Sequence, residues 1–190
     1  RSRPSLPRPP VPAPLSAMTE FRRAASAVDA LEALSRELCA AAEAAAPGDE
    51  PPEALRARYK EARAHLADVG PVAEKMRRKV QARADLEVVR AELRQRLPGA
   101  PEEPVKVAQE VVDAGGEGAA VLQPILDRAL ELEGVATYGA KMVEKVQDLL
   151  ARLDAAARGL DAQAAPFLDA AVAAADAAEA AGRAAREAAA

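Results

Sequence analysis

Apolar side chains recur along most of this chain at intervals of three and four residues, and nowhere do they alternate with polar ones over a useful length. That period predicts helices and no sheet. The first helix is expected from about Ser16 or Thr19 to Ala46, where Phe21, Ala24, Val28, Leu31, Ser35, Leu38 and Ala42 form one seam. Pro47-Gly48-Asp49-Glu50-Pro51-Pro52 ends it. A second element starts near Glu53 and meets Gly70-Pro71, which predicts a bend or two consecutive helices, because proline removes a helical hydrogen bond. Beyond it Val72, Met76, Val80, Leu86, Val89, Leu93 and Leu97 continue a stripe that Arg83 interrupts, and Pro98-Gly99-Ala100-Pro101 closes the element.

Two short helices follow, Val105 to Ala114 behind Pro104 and residues 119–133, with Gly115, Gly116 and Gly118 between them. The second carries a broad apolar face at Leu122, Ile125, Leu126, Ala129 and Leu130. The sharpest pattern comes next. Met142, Val146, Leu149, Leu153, Ala156 and Leu160 step by 4, 3, 4, 3 and 4, a heptad seam that asks for a partner helix along its length. Gly159 is expected to weaken its end, and the stretch from Asp161 onward is helical by propensity but has little beyond Phe167, Leu168 and Val172 to hold it.

Composition sharpens this picture. Of the 190 residues 51 are alanine, there are two Phe, two Tyr and no Trp, so helices form readily while each packs weakly. Stability then has to come from long helix–helix contacts or from a partner. The formal net charge of −4 is unevenly spread: +3 over residues 1–19, −4 over 20–52, +5 over 53–97 and −8 over 98–190. A basic segment between acidic ones suits antiparallel neighbours of opposite charge. No apolar run approaches a membrane span. The start, RSRPSLPRPPVPAP, cannot be helical. Arg1 in place of Met, and an acid-free Arg- and Ser-containing start, are compatible with a processed organelle transit peptide on an otherwise soluble intracellular chain. Arg1, Pro4 and Pro7 also fit the spacing read by polyproline-binding grooves, a pattern that proline-rich tails match by composition alone.

Chemistry is thin. His65 is the only histidine and Cys39 the only cysteine, so a triad, a disulfide or a His/Cys metal site lacks the residues it needs. The segment AGGEGAA at 114–120 has no lysine and no preceding strand, so it reads as a turn and not as a phosphate loop. No catalytic residue, cofactor or metal is expected. A helical enzyme would require folding to gather acids around His65 or Tyr138. The basic helix at 74–96 offers Lys75, Arg77, Arg78, Lys79 and Arg83 to phosphate or anionic lipid, against interspersed acids and no aromatic; an ion-paired, solvated face is the simpler reading, and nucleic acid is not expected.

The expected fold is all-α: an antiparallel bundle of four to six helices with a disordered proline-rich tail. It divides into a tail at 1–15, a bundle at 16–160 and an alanine-rich C-terminal helix at 161–190, weakly anchored or continuing further. The expected function is a non-enzymatic interaction module or structural subunit, binding protein partners or itself through helices at Met142, Val146, Leu149 and Leu153, with no small-molecule substrate. The alternative is a lipid-surface protein whose amphipathic helices open onto a membrane or droplet.

Overall fold

The computed structural model describes residues 17–46, 49–99, 102–115 and 118–188; the expectations for the proline-rich start at 1–15 lie outside them. Six α-helices make up the described chain: α1 (Ala17–Ala44), α2 (Glu53–Arg96), α3 (Pro104–Asp113), α4 (Ala119–Val135), α5 (Ala140–Gly159) and α6 (Ala165–Ala188). A π-helical turn, Leu160–Ala164, joins α5 to α6 without a break. No strand occurs among the described residues, and the fold is the all-α bundle that the pattern predicts.

The α1 seam behaves as its spacing requires. Ala24, Val28, Leu31, Ser35 and Leu38 are all buried, and Phe21 and Ala42 flank them half-buried. The chain then turns through Asp49, whose carboxylate accepts a hydrogen bond from the Ala46 N–H at 2.8 Å. Helix α2 corrects one of the two expectations at Gly70-Pro71: its 44 residues form one helix, about 66 Å along its axis, and not two in succession. The reason is position. Pro71 and Ala67, whose carbonyl loses its donor, are both exposed, so the missing bond falls on the solvent side of the helix, where it costs least.

Helix α2 serves two cores. Its first half packs Tyr59, Ala62, Val69, Ala73 and Met76 with α1, α5, the π turn and the start of α6. Its second half packs Leu86, Val89 and Leu93 against Ala108 of α3 and Leu122, Leu126 and Ala129 of α4. The ion pairs give the directions. Lys75 to Glu20 and Arg58 to Glu37 make α2 antiparallel to α1; Arg77 to Asp154 and Arg63 to Asp161 make it antiparallel to the α5–α6 rod. Arg152 meets Glu32 and Ser35 meets Ala156, so α1 and α5 run parallel, both opposed to α2. Arg90 meets Glu133 near the end of α4 and Lys79 meets Tyr138 just past it, so the chain there runs back along α2, antiparallel to it. The basic α2 thus lies between acidic neighbours, which spreads charge compensation along the whole helix.

At the α3–α4 turn Gly115 and Gly118 hold φ of +62° and +92°, a region that L side chains rarely enter. At the far end, α5 does not stop at Gly159. From Leu160 the buried positions step by four, to Ala164 and Leu168, which a regular helix would rotate off the core. The slower winding of a π turn absorbs that drift and keeps them facing α1 and α2. A wider turn there also suits Pro166, whose ring in a regular α-turn would press on the carbonyl of Ala162. The boundary expected after residue 160 therefore falls inside one continuous rod. Leu160, Ala164, Ala165 and Leu168 belong to the main core, and anchoring fades only past Val172.

Candidate interaction surfaces

The heptad seam of α5 finds its partners in the same chain. Val146, Leu149 and Leu153 are at most 4% exposed, with Met142 half-buried beside them, all within the core that α1 and α2 complete. As folded, Val146, Leu149 and Leu153 are not displayed to a second molecule, while Met142 keeps part of its side chain at the surface. The seam instead welds α5 to the bundle.

The close approach of α1 and α5 has a definite chemistry. Gly159 brings bare backbone against α1; a Cβ there would stand 3.1 Å from Ser35 Oγ and 3.5 Å from Cys39 Sγ. The buried Ser35 hydroxyl donates to the Ala156 carbonyl at 3.1 Å, one of two that the Leu160 N–H also reaches. Above this crossing Arg152 clamps α1. Its Nε and Nη2 donate to both oxygens of Glu32, at 3.1 and 2.6 Å, and Nη2 also reaches Asp29 at 2.5 Å. Those hydrogen bonds hold the Glu32 carboxyl below its ordinary range and push the Arg152 guanidinium up.

A second polar joint fastens α6 to α2. Tyr59, 3% exposed, donates from its hydroxyl to Asp169 at 2.5 Å and accepts from Arg63 Nε at 2.9 Å. Arg63 also reaches Asp161 at 2.6 Å, and Lys60 pairs with Asp176. Burial, then the bond to Asp169, raises the Tyr59 hydroxyl above its usual value. None of these residues stood out in the sequence, because partners some 98–116 residues apart carry no local signal. The one available cue was the recurrence of Asp161, Asp169 and Asp176 at steps of eight and seven, two turns of helix apart.

The five basic residues of the 74–96 segment are separated by their surroundings. Arg77 is paired with Asp154, Arg78 with Glu74 at 3.2 Å and Arg83 with Glu87 at 3.1 Å. Lys75 reaches Glu20 at 2.6 Å. Lys79 has no carboxylate within pairing distance among the described residues, and its ammonium lies 4.8 Å from the centre of the Tyr138 ring. Tyr138 sits on the loop between α4 and α5, 2% exposed, and its hydroxyl has no hydrogen-bond partner among the described residues. Burial, then the nearby Glu20 carboxylate, raises that hydroxyl's pKa.

His65 and Cys39 lie apart. His65 lines an open depression between α1 and α2 with Glu20, Arg23 and Asp68, and its imidazole is 3.9 Å from Glu61. Cys39 is half-buried beside Ser35, at the α1–α5 crossing. Among the described residues no three His, Cys, Asp or Glu side chains are grouped to hold a metal ion, and no helix is long and apolar enough to cross a membrane. Compared with family models, with curated proteins and with solved structures, the chain matches none.

Proposed function

We propose that the chain is a non-enzymatic helical interaction module, a structural subunit that binds a partner by adding a helix to its own α6. The observation that carries this reading is the outer half of α6. From Asp176 to Glu187 the helix is exposed at every position, and the Lys60–Asp176 ion pair is the last tie to the bundle among the described residues. The alanine-rich residues 177–187 beyond it are marginal as a helix in water on their own. A second helix laid alongside would hold them.

The face available for this is uncharged. Ala170, Ala174, Ala177, Ala181 and Ala184 step by 4, 3, 4 and 3 on the side turned away from the core, and all are exposed. Methyl-only surfaces let helix backbones approach closely, and the α5 seam, spent on the bundle, leaves α6 as the extendable rod. The scarcity of nucleophiles and bases, with His65 and Cys39 on separate helices, supports a binding role in preference to a catalytic one.

Sedimentation velocity across a concentration series, with affinity purification of the full chain from its own cells, tests this. The expected result is self-association or a stoichiometric retained partner, lost in an Ala177→Glu/Ala184→Glu variant that still folds. A chain that stays monomeric, retains nothing and protects its α6 amides from hydrogen exchange to the same degree as the core would remove the reading.

A further inference from the structure

One corner of the molecule gathers cations from three helices. Arg22 lies one turn from Met18 on α1, Lys75 and Lys79 come from α2, and Lys141 and Lys145 stand a turn apart at the start of α5. Lys75 is matched by Glu20 and Lys79 rests on the Tyr138 ring, while Arg22, Lys141 and Lys145 have no acidic partner among the described residues. The acids facing this corner are Glu20, already engaged, and the exposed Glu144 on α5, with Asp148 a turn further along. Between the lysines is a shallow, mostly apolar depression of about 440 Å³ lined by Met18, Gly139, Ala140, Met142, Lys141 and Lys145. Met18 is 42% exposed, one of few large apolar side chains left in solvent.

We propose that this corner docks on the surface of an anionic lipid bilayer, with Met18 and Met142 meeting the boundary of the acyl chains and Arg22, Lys79, Lys141 and Lys145 among the headgroups. On a chain of net charge −4, a concentrated basic patch orients the whole molecule toward a negative surface. Apolar groups set between cations are what a headgroup–acyl boundary accepts. Nucleic acid is the poorer fit, since Tyr138 is buried and Phe21, beside Arg22, is packed against the main core, so neither ring stands free for a base to stack on. The docking uses side chains already on the surface, so the bundle need not open, and it is independent of the α6 face used above.

Flotation of the full chain with phosphatidylcholine vesicles, with and without phosphatidylserine, is the test. Binding is expected only with phosphatidylserine, weakening as salt is raised. Lys141→Glu/Lys145→Glu should weaken it by about tenfold or more. Met18→Ser should weaken it while leaving the salt dependence in place, and Lys106→Glu/Arg183→Glu, at exposed sites elsewhere, should leave it intact. All these sites are surface positions, and unchanged thermal melts confirm that each variant folds. No flotation at low salt would overturn the proposal. So would equal losses from the corner and control pairs, or tighter binding to duplex DNA than to phosphatidylserine vesicles through the same lysines.

Discussion

Replacing Gly159 by alanine sets two opposed effects against each other at one point of the α1–α5 crossing. In a helix interior the exchange should gain about 1 kcal/mol from the lower backbone freedom of alanine. Here the new methyl would stand 3.1 Å from Ser35 Oγ, and that hydroxyl cannot step aside without lengthening its own 3.1 Å bond to the Ala156 carbonyl. Losing that bond costs about 1 kcal/mol, because the buried Ser35 hydroxyl keeps only the weak Cys39 Sγ contact at 3.9 Å. A Cβ 3.1 Å from Oγ also stands closer than packed atoms ordinarily do, and that crowding adds about 1 kcal/mol more, whereas Cys39 Sγ at 3.5 Å would be in ordinary contact. Gly159→Ala alone should therefore destabilise by about 1 kcal/mol. Ser35→Ala alone should cost about as much, through the lost hydrogen bond. In the Ser35→Ala background the sign reverses: the obstacle is gone and Gly159→Ala should stabilise by roughly 0.5–1 kcal/mol. The two sites are thus coupled by about 1.5–2 kcal/mol, which a double-mutant cycle measured by urea unfolding at the helical circular-dichroism band resolves. If Gly159→Ala stabilises by the same amount with and without Ser35, the close approach does not govern this crossing and the reasoning fails.

Three further outcomes follow from other joints. Tyr59→Phe should cost about 1 kcal/mol, because Asp169 and Arg63 lose a shared partner, whereas Tyr138→Phe should be neutral or slightly stabilising, since its hydroxyl is buried unpaired; paired chemical denaturation curves compare them. Glu32, held below its ordinary range chiefly by the Arg152 hydrogen bonds, contributes stability that is present above the unfolded carboxyl pKa and is lost as pH falls through the folded one. The thermal midpoint gap between wild type and Glu32→Gln should accordingly close as the pH is lowered through the acid range. Pro71→Ala, at an exposed site in an uninterrupted helix, should stabilise by about 1–3 kcal/mol in thermal or urea melts, and destabilisation would mean that the proline is needed for α2's path.

What could be read from the residues alone follows a physical line. The α1 seam was legible because burial on one face imposes a period that the chain itself displays, and the glycine turn at 114–120 because φ above zero selects for glycine. The passage of α2 through Pro71 was not, since it turns on which side of the helix faces water, a property of the neighbours and not of the dipeptide. The heptad of α5 announced that a partner helix exists but could not say whose. The π turn left its trace in the run of fours at Leu160, Ala164, Leu168 and Val172, legible only once the core direction is known. The cationic corner was partly visible, as Lys75 and Lys79. Its other members, Arg22, Lys141 and Lys145, arrive from elements far apart in sequence, and only the bundle brings them together.

The shared use of α2 has a consequence for how such a chain can vary. Its distal half, α3 and α4 make an out-and-back excursion whose core is separate from the main one. Because α2 and α4 lie antiparallel, removing or inserting seven residues in each would keep both apolar faces nearly in phase while moving the tip by about 10 Å. The excursion is in effect a telescoping arm, and its reach is adjustable in steps without rebuilding the trunk that carries it.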